Sequence, residues 1–168
     1  IRRSINANLR TGTDEALQNL IDYAGKQNNP PAMRAEAIDA LSTWSKPSVV
    51  DRVDGRYRGV VQRDPAVVKA KAGDVLVGLS GSKDLAVRIS AVKAISKIEI
   101  RQGSSSLLAL LKSDKEPSVR VEALKALASL KDEQIGTAIQ QALTDKDKSV
   151  RIAGIDLISK MNISKELM

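Results

Sequence analysis

The sequence contains no cysteine, no histidine and no phenylalanine, and only one tryptophan and two tyrosines among its 168 residues. Without cysteine there is no disulfide framework and no thiolate chemistry, so the redox compartment stays open. Without histidine, the most common general base and metal ligand is missing. We therefore expect no catalytic residue, no metal site and no cofactor in this chain.

Two short segments resemble ligand-binding motifs but lack essential residues. Asp145-Lys146-Asp147 begins like a calcium loop, but the glycine and the closing glutamate are missing, so we interpret it as a helix-capping turn. The segment Gly78–Gly81 is not followed by the Lys-Ser/Thr pair of a phosphate-binding loop.

Long apolar runs are missing as well. The longest, such as Leu107–Leu111, are far too short to span a bilayer. No charged-then-apolar leader is present, and Ile1 is not an initiator residue. We therefore expect a segment of a longer protein, and both a cytoplasmic and an extracytoplasmic location stay open.

What the sequence does contain is a repeated helix. In Glu116–Leu130 the polar residues Ser118, Glu122, Lys125 and Ser129 are separated by steps of four, three and four residues. On a helix of about 3.6 residues per turn they form one narrow stripe, and most other positions are apolar. An apolar arc this wide predicts neighbours on several sides, and hence a helix inside a stack.

Copies of this helix recur along the chain, each with an arginine near its start. Arg88, Arg120 and Arg151 are 32 and 31 residues apart, a period typical of a solenoid. A fainter copy surrounds Arg34, which lies 54 residues before Arg88, so one period there contains an insertion of roughly 22 residues.

A polar turn precedes each of these helices. Six residues before Arg120 and Arg151 the turn contains Asp114 and Asp145, whereas the other two copies have no acid at that position. A turn aspartate and an arginine one helical turn further in can hydrogen-bond between adjacent repeats. We interpret these residues as a structural ladder, with the members Asp114, Asp145, Arg34, Arg88, Arg120 and Arg151.

This unit of helix, Asp-containing turn, Pro-x-Val-Arg and Ala-Leu-x-Ala-Leu resembles a HEAT repeat, in the bacterial variety also found in phycobilin lyases. The resemblance covers nearly the whole chain and implies an all-α fold, a right-handed α-α superhelix of about four helical hairpins. The repeats are expected at 14–44, 65–98, 104–130 and 132–161 in a single domain over 1–168, and the tail 162–168 is expected to begin a further helix. HEAT repeats serve many unrelated functions, so the fold alone does not identify an activity.

Residues 46–64 interrupt the second period as a non-helical insertion. Asp54-Gly55 between two β-prone segments predicts a protruding hairpin or an ordered loop. Arginine and aromatic residues, which are enriched at interface hot spots, are concentrated here. Either the insertion docks a partner, or its aromatic residues and valines pack on the solenoid while the arginines stay solvated. The candidate interaction residues are Trp44, Arg52, Arg56, Tyr57 and Arg58.

The second helices of a HEAT stack line its concave surface. Their polar stripes give four acids and four lysines as candidate surface residues: Glu36, Asp39, Lys93, Lys97, Glu122, Lys125, Asp156 and Lys160. A groove that follows phosphates should carry one sign of charge and aromatic side chains for stacking. This surface has neither property, so the net charge of +7 does not indicate a nucleic-acid groove.

We therefore favour a non-catalytic HEAT-repeat scaffold whose partner is another protein or another domain of the parent chain. One alternative is a nucleic-acid-binding solenoid that uses its basic surface. A second alternative is an accessory of cofactor or chromophore attachment, which ranks last because neither Cys nor His is available. The sequence does not indicate an oligomeric state.

Overall fold

The computed structural model describes residues 1–161, and its regular structure is helical. Within those residues the β-type pairing is one isolated bridge, and a 3-10 turn lies at Arg101–Gly103. The α-helices of this part of the chain are α1 (Arg2–Thr11), α2 (Asp14–Gly25), α3 (Pro31–Ser42), α4 (Pro65–Leu79), α5 (Leu85–Lys97), α6 (Ser104–Ser113), α7 (Pro117–Ser129), α8 (Ile135–Leu143) and α9 (Lys148–Met161). The all-α prediction is confirmed, and the expected helix at 162–168 lies outside the described residues.

Local chemistry explains where several helices begin. Proline is the first residue of α3, α4 and α7, where its missing N–H costs no hydrogen bond. The side chain of Thr13 accepts a hydrogen bond from the backbone N–H of Ala16 at 3.2 Å, which caps α2. Asp64 caps α4 in the same way through Ala66, at 2.8 Å.

Left-handed residues end three of the helices. Gly12 has φ 70° at the end of α1, where glycine adopts this conformation without a steric cost. Glu99 (φ 60°) and Lys131 (φ 51°) occupy equivalent positions after α5 and α7. After α7, the N–H of Asp132 donates to the carbonyl of Leu127 at 3.1 Å and so closes the helix end.

The chain forms two compact units, Ile1–Glu99 and Ile100–Met168. In the first unit α2 and α3 form one helical hairpin, α4 and α5 form another, α3 packs against α5, and α1 covers α2 and α3. In the second unit the hairpins are α6–α7 and α8–α9, and α7 packs against α9. The second helix of a repeat is therefore enclosed, as α7 illustrates by burying Val119, Ala123, Leu124 and Leu127 completely.

The insertion is an ordered loop rather than a regular β-hairpin. Val50 and Tyr57 form the isolated antiparallel bridge. The expected two-residue turn at Asp54-Gly55 is replaced by a wider one, because the Asp51 carboxylate accepts hydrogen bonds from the N–H groups of Val53 at 2.8 Å and Asp54 at 3.2 Å. A side chain that captures backbone donors competes with strand pairing.

Candidate interaction site on the insertion

Asp51 holds the turn of the insertion against α1. Its carboxylate is buried, and it accepts hydrogen bonds from the side chains of Asn6 at 3.0 Å and Arg58 at 3.2 Å. Together with the backbone donor of Val53, which has the largest effect, these bonds hold the pKa of Asp51 well below its usual range. A buried, ionised carboxylate with this many donors fixes the loop to the first unit.

Arg63 anchors the other end of the insertion. Its guanidinium lies over the Trp44 ring, 4.6 Å from the centroid. It donates to the carbonyl of Trp44 at 2.7 Å and to that of Leu9 at 2.9 Å. Burial, followed by the nearby Arg10, lowers the pKa of Arg63. Trp44 is only 2% exposed, so it belongs to the core of the first unit and not to its surface.

The insertion also exposes side chains of types that are common at protein interfaces. Tyr57 is 72% exposed and Val60 is 73% exposed. The side chain of Arg56 is 78% exposed, and its Nε lies 3.8 Å from an oxygen of Asp54. Arg58 pairs with Asp54 at 2.7 Å. The insertion therefore combines anchored residues with exposed aromatic, apolar and cationic side chains.

Arg52 connects the insertion to the polar stripe of α3. Its guanidinium lies 3.1 Å from a carboxylate oxygen of Glu36, which also faces Arg2 at 3.7 Å. Burial raises the pKa of the neighbouring Asp39, against the lowering effect of a hydrogen bond with Ser90 on α5. The insertion and the stripe were predicted as separate candidates, and the first unit brings them together.

The remaining stripe residues are exposed or pair within their own helix. Lys93 and Lys97 are exposed on α5 of the first unit. In the second unit Lys125 pairs with Glu122 of its own helix at 3.0 Å, and Asp156 is exposed on α9, as is Lys160. Within each unit these are ordinary solvated side chains.

Two of the ladder arginines bind an aspartate of the following repeat in their own unit. In the second unit Arg120 makes a bidentate contact with Asp145, at 2.8 and 2.7 Å. In the first unit Arg34 donates to Asp84 at 3.1 Å and to the carbonyl of Ala24 at 2.9 Å. Both arginine side chains are buried, so these contacts are structural in character.

Three of the ladder arginines also bind backbone carbonyls of the turn in their own repeat. Arg120 donates to the carbonyl of Asp114 at 2.7 Å, and Arg151 donates to that of Asp145 at 2.8 Å. Arg88 donates to the carbonyl of Ser82 at 2.9 Å. Each of these arginines therefore closes the turn between the two helices of its hairpin.

Sequence reasoning missed three residues that organise these contacts. Asp84 pairs with Arg34 although it lies two residues beyond Ser82, the position that the six-residue spacing pointed to; its place directly before the apolar start of α5 was the available signal. Asp51 and Arg63 gave no comparable signal. Their partners Asn6 and Leu9 lie 45 and 54 residues away in the sequence.

No group of three or more carboxylates comes together as a metal site within residues 1–161. In the same part of the chain, every helix is too short or too polar to cross a bilayer.

Comparison with known proteins bears on the second unit first. Residues 104–167 match the family model for HEAT repeats, so this part of the chain belongs to that family. The match confirms the resemblance to HEAT repeats that was predicted from the sequence. No curated protein matches the sequence significantly.

A solved structure with the same fold is the complex of CpcE and CpcF of phycocyanin lyase from Nostoc sp. PCC7120. A chain of that complex aligns with a TM-score of 0.64 and 19% sequence identity, over 90% of the present chain and 85% of its own length. At this identity the likeness concerns the fold. It confirms a HEAT-type arrangement of helical hairpins.

Proposed function

We propose that this chain is a non-catalytic HEAT-repeat scaffold that binds a protein partner, or another domain of its parent protein, through the insertion at 46–64. The observation that carries the proposal is the contrast within the insertion, where Asp51 is buried and bonded to α1 while Arg56, Tyr57 and Val60 are exposed. Arginine and tyrosine are enriched at the hot spots of protein interfaces. A loop that is already ordered loses less conformational freedom on binding than a mobile one.

The polar stripe of the first unit supports the same location. Because Arg52 lies against Glu36, a partner seated on the insertion also comes close to the mixed charges of α3 and α5. Charges at the rim of an interface contribute mainly to specificity and to the rate of association. We assign this accompanying role to Glu36, Asp39 and Lys93.

The double substitution Tyr57→Ser and Val60→Ser tests the proposal. Both side chains are exposed, so helix content by circular dichroism should stay the same. The parent chain and the double variant are each used for affinity purification from an extract of the source organism, and every retained protein is quantified. The recovery of true partners should be at least about tenfold lower with the double variant. The affinity of a purified partner should fall by a similar factor in calorimetry.

Leu85→Ser is the matched control, since Leu85 is an exposed apolar residue of the same unit outside the insertion, and it should leave recovery unchanged. If every retained protein binds the double variant as well as the parent chain, the insertion is not the docking element.

An accessory role in chromophore or cofactor attachment is the second candidate, favoured by the likeness in fold to a phycocyanin lyase complex. With neither Cys nor His in the chain, this role would consist of holding the acceptor protein or the chromophore. Incubation with a free bilin and an acceptor apoprotein tests it through visible absorbance that survives denaturation. A covalent adduct that depends on the chain would replace the non-catalytic proposal, and its absence would favour the scaffold.

A further inference from the structure

The helix α9 exposes a face that the equivalent helices bury. When the repeats are aligned by their arginines, Ile155 occupies the position of Ile38 in α3 and Leu124 in α7. Ile38 and Leu124 are 0% exposed, whereas Ile155 is 57% exposed. Ile152, one turn before it, is also exposed. In α3 and α7 this face packs against the second helix of the next repeat in the same unit.

Arg151 on the same helix makes fewer hydrogen bonds than its counterpart Arg120. Like Arg120, it uses Nη1 to bind the carbonyl of its own turn. Arg120 additionally uses Nε and Nη2 to bind Asp145 of the next repeat. Within residues 1–161, Arg151 has no carboxylate partner of this kind. In the described part of the chain, Nε and Nη2 of Arg151 therefore bind no carboxylate of a following repeat.

We infer that this face of α9, defined by Arg151, Ile152 and Ile155, is an interaction surface that binds a partner's HEAT-type helical hairpin with a carboxylate in its turn. The apolar pair requires a helix that covers it, as α9 itself covers Leu124. The arginine requires an acid in the turn, as Asp145 provides for Arg120. The surface contains none of the insertion residues, so the inference can be tested independently of the proposed function.

The first repeat of a second copy of this chain does not meet this description. Its turn, residues 26–30, has the sequence Lys-Gln-Asn-Asn-Pro and carries no carboxylate. Head-to-tail stacking of two copies would leave Arg151 without its acid, which disfavours self-association through α9.

A tethered hairpin tests the inference directly. A second copy of residues 131–161 is joined after Met161 in place of the residues that follow, which preserves the arginine spacing of 31 residues. The tether presents this hairpin at a high effective concentration. Because the chain contains no cysteine, Ile155→Cys in the original α9 provides a unique thiol whose reaction rate with a thiol reagent reports exposure.

We expect the Ile155→Cys thiol to react at least about tenfold more slowly when the hairpin is attached, because docking removes it from solvent. Changing Asp145→Asn in the appended copy alone should restore most of the reactivity, since it removes the charged partner of Arg151. Lys160→Cys is the matched control. Its counterpart Ser129 stays exposed in repeat three, so its rate should not change.

Two results would overturn the inference. The first is an equal reaction rate of the Ile155→Cys thiol with and without the appended hairpin. This result counts whether or not circular dichroism shows added helix, because the same sequence already folds against α7. The second is a rate in the 168-residue chain alone that falls as protein concentration rises, which would identify a second copy as the occupant.

Discussion

Arg120 and Asp145 form a buried bidentate ion pair between consecutive repeats, with side chains only 3% and 10% exposed. The hydrogen bonds with Arg120 lower the pKa of Asp145, and those with Asp145 raise the pKa of Arg120. Because the pKa of Asp145 is lower in the folded state, the unfolded chain takes up the proton first. The stabilisation is therefore complete above the unfolded pKa of about 4 and is lost as the pH falls through the folded pKa.

Asp145→Asn should lower the stability of the second unit by about 2 kcal/mol at pH 7, because the substitution removes the charge that Arg120 binds. The variant should also lose less stability than the parent chain between about pH 5 and pH 2, the range in which a model-peptide aspartate becomes protonated. Thermal unfolding followed by circular dichroism at several pH values measures both effects. Asp156→Asn, an exposed acid on α9, should change neither, and an unchanged acid dependence in Asp145→Asn would contradict the assignment.

Arg63 provides a second prediction at this scale, since it donates to three backbone carbonyls and stacks on Trp44. Arg63→Ala should destabilise the first unit by about 2 kcal/mol, and Arg63→Lys should recover little, because an ammonium cannot reproduce the planar fork. Trp44 is the sole tryptophan, so a red shift of its fluorescence reports the loosened base of the insertion. Arg56→Ala removes an exposed arginine from the same loop as a control. A fluorescence shift of equal size in both variants would count against an anchoring role.

At the scale of elements, the helices and the non-helical insertion were predictable from the sequence, but the contacts that shape the insertion were not. The stripe of α7 and Pro117 mark that helix because helical hydrogen bonds and side-chain neighbours lie within four residues of each other. The shape of the insertion depends on Asp51 and Asn6, which are 45 residues apart. A local hairpin signal could not include that contact, and of the two predicted shapes, a hairpin or an ordered loop, the structure has the ordered loop.

For the candidate site, too, the sequence predicts the residues but not their contacts. The five insertion residues were predicted as one group, yet the structure places Trp44 in the core, pairs Arg52 and Arg58 with carboxylates, and exposes Arg56 and Tyr57. Composition identifies residue types that are common at interfaces. It does not indicate which of them is already engaged inside the molecule, because that depends on the folded geometry: Arg52 pairs with Glu36 of α3, and Arg58 with acids of its own loop.

Lys131 allows a prediction about a helix end, since it adopts the left-handed conformation with φ 51° after α7. Lys131→Gly should stabilise the second unit by about 1 kcal/mol, because glycine removes the steric cost of this conformation. Lys125→Gly, within α7, should instead destabilise it by about 1 kcal/mol. Thermal unfolding of the two variants should therefore shift in opposite directions. A decrease for both would show that the conformation carries no strain.

At the scale of the whole molecule, the net charge of +7 is not concentrated on the second-helix stripes. In the first unit the stripe has acids on α3 and lysines on α5, and in the second unit it mixes both signs. Such a distribution suits a protein partner with charges of both signs better than a phosphate backbone.

Filter binding with a short DNA or RNA duplex should therefore detect only weak association at low salt, which disappears toward physiological salt. The expected dissociation constant at about 0.15 M salt is no tighter than the range of about 10⁻⁴ to 10⁻⁶ M typical of non-specific binding. Nanomolar binding at that salt concentration would favour the nucleic-acid alternative over a protein scaffold.

The hydrogen bonds of the insertion also affect a spontaneous covalent reaction, imide formation at Asp54-Gly55. In an Asp-Gly sequence the backbone nitrogen of the glycine slowly attacks the aspartate side chain and forms a cyclic imide. Here the N–H of Gly55 donates to the carbonyl of Asp51 at 3.0 Å. The Asp54 carboxylate accepts from the N–H of Arg56 at 3.0 Å and from Arg58 at 2.7 Å. Because both reacting groups are engaged in other hydrogen bonds, we expect imide formation at this site to be slower in the folded loop that presents Tyr57 than in the unfolded chain.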